Sequence, residues 1–158
     1  MFKNILVPTD GSELSDSTVA RAVSFASEAG ARLTFFYAQP DFPMPIYGEG
    51  ALIDPTTPEQ FSRAAAQEAE RILAKAKSVA DAAGVSSSSD TQISEVPYEA
   101  IIEAVERNHC DLIFMASHGR RGLSGLLLGS DPKLSMMVDG VRMAGAAGRR
   151  KFASVARK

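Results

Sequence analysis

Short runs of apolar, β-favouring residues alternate with longer helical stretches along the first 115 positions. Ile5–Val7 and Leu33–Ala38 predict two buried strands, and Leu112–Met115 predicts another because it is continuously apolar. Thr91–Val96 alternates polar with apolar residues and predicts a partly exposed strand. The polar stretch before it, Ser86–Asp90, favours a loop or a frayed edge. These strands are far enough apart for a helix to lie between consecutive members.

Cap and turn residues mark the ends of the predicted helices. One helix follows the turn cluster Pro8–Ser12 and ends at Gly30. The next begins at a capping box with Thr57 as N-cap, Pro58 at the first helical position and Gln60 at the third; Gly84 ends it, and another helix opens at Pro97.

The resulting order β-α-β-α-β-α-β predicts an α/β fold with one open parallel sheet flanked by helices. In such sheets ligands bind at the carboxyl ends of the strands, near the switch point. Pro8–Ser12 follows the first strand and Ala116–Ser130 follows the fourth. We therefore expect a ligand site where these two loops converge.

Composition and charge narrow the class of protein. The 158 residues, 45% hydrophobic and 23% charged, are typical of one soluble domain, and the net charge of −2 favours neither nucleic acid nor membrane as a partner. Residues 140–158 hold six of the 17 basic residues and no acid. This basic tail is able to contact phosphate or an acidic partner, or to remain a solvated chain end.

Cysteine use and the amino terminus suggest a cellular location. Cys110 is the only cysteine and is expected to be a small, inert core residue, which fits a reducing compartment. The first seven residues lead directly into a strand and lack the pattern of a signal peptide, and no apolar run approaches the roughly 18 residues of a membrane span. We expect a cytoplasmic protein.

The loop after the fourth strand carries the clearest chemistry. Gly119 allows the backbone to approach an anion, and Gly129-Ser130 precedes an expected helix start whose free amides favour phosphate. Arg120 and Arg121 are candidate phosphate contacts or, alternatively, solvated loop charges. His118 has no nearby carboxylate or nucleophile that would complete a catalytic triad.

Three segments of the sequence resemble the universal stress protein family. They are Ile5–Ser12, Cys110–Gly119 and Gly122–Ser130, and the resemblance covers about residues 1–130. The resemblance implies a Rossmann-like fold similar to the adenine nucleotide alpha hydrolases. It also implies a cytoplasmic stress-response protein that binds ATP, ADP or AMP, with Mg²⁺ as a candidate companion ion, and that forms a homodimer.

The family's nucleotide-binding branch has the pattern glycine, two residues, glycine, nine residues, then glycine and serine or threonine. Here Gly119, Gly129 and Ser130 match, while Ala116 stands in place of the first glycine. The resemblance implies that Pro8 and Thr9 line the pocket and that Asp10 contacts adenine or ribose, although Asp10 also suits a turn or helix cap. The other nucleotide-binding residues that it implies are Ala38, Met115, Gly119, Gly129 and Ser130. Ala116, His118 and Arg120 of the same loop complete the candidate set, although His118 is alternatively a loop residue whose ring stabilises the turn.

The resemblance fades after Ser130. Asp131 is expected to cap a helix that starts at Pro132, and both residues would weaken binding of a triphosphate. The chain is treated as one domain, residues 1–158, with residues 131–158 as a divergent basic tail. Residues 151–156 are the only segment there that suggests a strand; without it, the fifth strand and the family's usual dimer are in doubt.

Three functions are compatible with these residues. The first is nucleotide sensing in stress adaptation. The second is a dimerising interaction module of the same fold that binds no nucleotide, which Ala116 and Asp131 favour. The third is a hydrolase, for which the sequence offers neither a general base nor a metal-binding acidic pair, so at most slow ATP hydrolysis is expected.

Overall fold

The strands and helices of the computed structural model form an open sheet with helices on both faces. It describes residues 2–42, 57–115, 135–138 and 141–144, the last two ranges by their backbone. The elements in chain order are β1 (Asn4–Pro8), α1 (Glu13–Ala29), β2 (Arg32–Gln39), α2 (Pro58–Ala82), β3 (Ser87–Ile93), α3 (Pro97–Arg107), β4 (Leu112–Met115), β5 (Ser135–Val138) and β6 (Val141–Ala144). The sheet order is β3-β2-β1-β4-β5-β6. All neighbouring strands are parallel except β5 and β6, so the expected α/β class is confirmed.

Each face of the sheet buries its own apolar cluster. Alternate residues of β1, β2 and β4 pack against α1 and α2 on one face; Val7, Phe35 and Phe114 are among them. The intervening residues, including Leu6 and Ile113, pack against α3 on the other face. We call these the α1/α2 face and the α3 face.

The caps predicted from the sequence are present. Thr57 Oγ1 accepts from Gln60 N at 3.2 Å, and Thr57 N donates to Gln60 Oε1 at 3.1 Å, which completes the capping box of α2. Gly30 ends α1 with φ of 65°, and Gly84 follows α2 with φ of 69°. Both glycines therefore lie in the left-handed region that other residues adopt at a cost.

Strand β3 begins earlier than the sequence pattern indicated. It covers Ser87–Ile93 rather than residues 91–96, so a loop at residues 87–90 is wrong, while β3 does lie at the edge of the sheet. Pairing with β2 explains the difference, since the register runs from Leu33 opposite Ser87 to Gln39 opposite Ile93. Backbone hydrogen bonding to a strong neighbouring strand outweighs the weak β-propensity of serine and aspartate.

The segment after residue 134 also corrects an expectation. A helix from Pro132 would include residues 135–138, but these form β5, which pairs with β4 in parallel. A helix that runs from Pro132 through residues 135–138 is therefore wrong, whereas Asp131 and Pro132 themselves lie outside the described residues and the weaker triphosphate binding stays a prediction. The edge of β4 is covered by β5, whereas residues 151–156 lie outside the described part of the chain.

A hairpin signal between β5 and β6 explains this correction. Val138 and Val141 pair in the antiparallel register, and the two residues between them in the sequence are Asp139 and Gly140. Asp-Gly is among the strongest two-residue hairpin signals. It outweighs the helix-start signal of Pro132.

Cys110 lies just before β4, in the cluster of the α3 face. Burial raises the pKa of its thiol to about 11, so the thiol stays protonated at neutral pH. The expectation of a buried core cysteine is confirmed. Within the ranges that the structure describes, no helix is both long and apolar enough to cross a bilayer.

Candidate functional site

The direction in which successive strands are added to the sheet reverses at β1. The chain builds β1, β2 and β3 towards one edge and then places β4 on the other side of β1. The carboxyl ends of β1 and β4 are therefore adjacent at a topological switch point. Open parallel sheets bind their ligands in the crevice at such a point.

Three predicted site residues lie on one face of the sheet at this point. Leu6, Phe36 and Ile113 belong to the cluster of the α3 face. Because side chains alternate along a strand, the residues two positions further on share that face. These are Pro8, Ala38 and Met115; Ala38 and Met115 are partly buried against the same cluster, and Pro8 is half-buried.

These three residues form what we call the apolar floor. Ala38 is on β2 and Met115 is on β4, the two strands that flank β1. Pro8 is in register with Phe36, so Ala38 lies two residues further along the sheet than Pro8. A small alanine leaves room above the sheet, and methionine adapts its shape to a flat ring. The floor suits a planar apolar group such as a nucleobase.

A short loop joins β1 to α1 beside this floor. Thr9 is buried, and its N–H donates to Phe36 O at 2.9 Å, which extends the parallel pairing past β1. Ser12 N–H donates to Asp10 Oδ1 at 3.0 Å, and Ser15 N–H donates to Ser12 Oγ at 3.2 Å. Ser12 is therefore the cap of α1, and Asp10 shapes the turn before it.

Asp10 is the exposed charge of the loop. Partial desolvation raises its pKa, but hydrogen bonds from the Ser12 and Ser15 side chains and from the backbone outweigh this effect, and the net pKa is lower than usual. Asp10 is therefore ionised at neutral pH. A carboxylate beside an apolar floor is suited to accept hydrogen bonds from sugar hydroxyl groups.

Gly11 holds the loop against α2. Its φ is 75°, and a Cβ at this position would lie 2.9 Å from Ile72 Cγ1. Both the left-handed backbone and the close approach of α2 therefore require glycine here. The loop is thus held by its packing against Ile72 of α2 as well as by its hydrogen bonds.

The lowered pKa of Asp10 makes stability depend on pH. Its stabilising effect is complete above the unfolded-state pKa, near 3.8, and is lost as pH falls through the lower folded-state value. We expect the difference in unfolding free energy between wild type and Asp10→Asn to shrink as pH falls from about 6 to about 2. Urea unfolding of both proteins checks this, and a difference that stays constant with pH would contradict the role given to the charge.

The remaining predicted site residues lie outside the described part of the chain. They are Ala116, His118, Gly119, Arg120, Gly129 and Ser130. Met115, the last described residue of β4, directly precedes them in the sequence. Among the described residues, no group of three or more His, Cys, Asp or Glu side chains is arranged to hold a metal ion.

A comparison with protein families decides the family of this chain. The sequence model described as "Universal stress protein family" matches residues 1–131. The chain belongs to the universal stress protein family. The match ends where the sequence resemblance fades, just after Ser130.

Curated relatives agree with this assignment. A universal stress protein of Methanocaldococcus jannaschii is 32% identical over 133 residues, covering 82% of this chain and 73% of its own length. A universal stress protein of Thermus aquaticus is 33% identical over 130 residues, covering 82% of this chain and 88% of its own length.

Solved structures of other universal stress proteins share the fold. A family member from Burkholderia pseudomallei superposes with a TM-score of 0.61 at 26% identity, covering 72% of this chain and 80% of its own. A universal stress protein crystallised in complex with cAMP superposes with a TM-score of 0.58 at 26% identity, covering 87% of this chain and 96% of its own.

Sequence reasoning missed one helix residue that is hydrogen-bonded to the loop. Ser15 is buried at 8% exposure, and its hydroxyl lies 2.6 Å from Thr9 Oγ1. The only sequence signal was a serine three positions after the cap, which is common at helix starts. Its role depends on how α1 meets the loop.

Proposed function

We propose that this universal stress protein binds an adenine nucleotide in the crevice above the carboxyl ends of β1 and β4. The observation that carries the proposal is the apolar floor of Pro8, Ala38 and Met115 beside the ionised Asp10 at the switch point. The related structure in complex with cAMP, at 26% identity, supports an adenine nucleotide as the ligand class. We further propose that nucleotide occupancy regulates a cytoplasmic stress response.

Each part of the nucleotide has a matching group. The base would stack on the apolar floor, and Asp10 would accept hydrogen bonds from the ribose. The phosphates would extend towards Gly119, Gly129 and Ser130, which follow the family's pattern, with Ala116, His118 and Arg120 on the same segment. Thr9 would support this pocket from within the loop.

Mg²⁺ fits this site only as a companion of the phosphates. Magnesium prefers oxygen ligands in octahedral geometry and usually keeps several waters. Asp10 would supply one carboxylate, and the described residues hold no group of three or more His, Cys, Asp or Glu arranged for a metal ion. The phosphates of ATP or ADP, together with waters, would therefore supply the remaining oxygen ligands.

A homodimer is the second part of the proposal. Strand β6 is at the outer end of the six-stranded order, so its outer edge faces away from the sheet. Edge strands offer unpaired backbone groups to a second chain. Pairing of β6 with a second copy would extend the sheet across two subunits.

The test is a calorimetric titration of the purified protein with AMP, ADP, ATP and cAMP, each with and without Mg²⁺. GMP and ribose 5-phosphate serve as controls for the base. We expect saturable binding of the adenine nucleotides, weaker or absent binding of the controls, and an effect of Mg²⁺ on ATP and ADP. Absence of binding by every adenine nucleotide, in a protein that light scattering shows to be dimeric, would favour the dimerising module without nucleotide.

A further inference from the structure

The Ser15 hydroxyl contacts the loop that carries Asp10. Its Oγ is 2.6 Å from Thr9 Oγ1 and accepts from Asp10 N–H at 3.1 Å. Ser15 is on the first turn of α1, within the buried part of the protein. It therefore joins the helix to two consecutive residues of the loop.

Two arrangements of the hydroxyl protons fit these contacts, because either Thr9 Oγ1 or Ser15 Oγ could donate across the 2.6 Å between them. A serine has one proton to donate and two lone pairs that accept. If Asp10 N–H and Thr9 Oγ1–H donate to Ser15, then the Ser15 proton is available to the Asp10 carboxylate. The lowered pKa of Asp10 agrees, because a hydrogen bond from the Ser15 side chain is among its causes.

We propose that Ser15 is a positioning residue, which holds Thr9 and Asp10 in the orientation that nucleotide binding requires. It is expected to act without touching the ligand, since only 8% of it is exposed and its hydroxyl contacts Thr9 and Asp10. The proposal rests on the nucleotide-binding function argued above. It adds a residue that acts through Asp10 rather than on the nucleotide.

Removal of the Ser15 hydroxyl leaves the N-cap hydrogen bond of α1 in place. In Ser15→Ala the backbone N–H of residue 15 remains and still donates to Ser12 Oγ, so the cap of α1 is kept. Only the contacts to Thr9 and Asp10 are lost. Ser17→Ala is the matched control, because Ser17 is exposed on the same helix two residues further on.

The experiment has two readouts. The first is the carboxyl ¹³C titration of Asp10 by NMR in the absence of nucleotide. The second is the Kd for AMP from calorimetry. We expect Ser15→Ala to raise the pKa of Asp10 towards 3.8 and to weaken AMP binding about 5- to 10-fold, while Ser17→Ala changes neither.

A third variant separates the hydroxyl from the packing. Ser15→Thr keeps the hydroxyl and should leave the pKa of Asp10 near the wild-type value. Equal rises of that pKa in Ser15→Ala and Ser15→Thr would assign the effect to packing and overturn the inference. An unchanged pKa in Ser15→Ala, or a changed pKa with an unchanged Kd, would overturn it as well.

Failure of the proposed function would look different. In that case wild type, Ser15→Ala and Ser17→Ala all fail to bind AMP, while the pKa of Asp10 still responds to Ser15. The loop geometry would then stand, and the nucleotide role of both Asp10 and Ser15 would be wrong.

Discussion

Replacing Gly11 with alanine is expected to destabilise the protein by about 2–5 kcal/mol. A left-handed φ costs an L-residue about 1–2 kcal/mol, and overpacking a buried site adds about 1–3 kcal/mol. The added Cβ would lie 2.9 Å from Ile72 Cγ1 and 3.1 Å from Ile72 Cδ1. Ile72 is buried at 4% exposure, so its side chain has little room to move away.

Two other glycines provide matched controls. Gly30 and Gly84 have φ of 65° and 69°, close to the 75° of Gly11, but a Cβ at either position meets no atom within 4 Å. Alanine at these positions should cost only the conformational part, about 1–2 kcal/mol. Urea unfolding of the three variants measures the difference. Equal losses at all three positions would contradict the contact between the loop and α2.

A double variant tests that contact directly. Ile72→Ala removes the Cγ1 atom that an alanine at position 11 would meet. The cost of Gly11→Ala should therefore be smaller in the Ile72→Ala background than in wild type, as a double-mutant cycle shows. Additive losses would mean that residues 11 and 72 do not compete for the same space.

Replacing Ala38 with phenylalanine is expected to weaken nucleotide binding by about 100-fold or more. Ala38 is the small member of the apolar floor, and a phenyl ring there would occupy the space proposed for the base. Ala38 is only partly buried at the end of β2, so the larger side chain has access to solvent and the fold should survive. Calorimetric titration with AMP gives the affinity, and urea unfolding checks the fold.

Ile93→Phe is the matched control for Ala38→Phe. Ile93 ends the neighbouring strand β3 and is 53% exposed, so the substitution adds bulk at the same edge of the sheet without entering the floor. We expect wild-type affinity for this variant. If both variants lost affinity equally, or if neither did, the base would not lie on Pro8, Ala38 and Met115.

The fold was predictable where strong local signals agreed with the tertiary structure. The capping box of Thr57 and Gln60 and the left-handed Gly30 depend on a few neighbouring residues, so the sequence pattern was sufficient for them. Strand β3 was misplaced because serines at residues 87–89 become a strand only through pairing with β2. The β5–β6 hairpin was missed because Pro132 and Asp139-Gly140 give competing local signals, and pairing with β4 decides between them.

The candidate site was predictable in part. The family resemblance pointed to Pro8, Ala38 and Met115, and strand alternation with the sheet order explains why they share a face. Ser15 and Ile72 were not predictable, since their contacts with the loop depend on where α1 and α2 lie against the sheet. Such packing distances do not follow from periodicity alone.

NMR mapping tests most directly where the nucleotide binds. Amide spectra of ¹⁵N-labelled protein are recorded during a titration with AMP. Binding in the crevice predicts the largest shifts at Thr9, Asp10, Ala38 and Met115. The residues at the opposite end of the sheet should stay unchanged; Arg32, the first residue of β2, and Ser86, just before β3, report on that end. Shifts confined to that opposite end, or no shifts at saturating AMP, would contradict a nucleotide site at the carboxyl ends of β1 and β4.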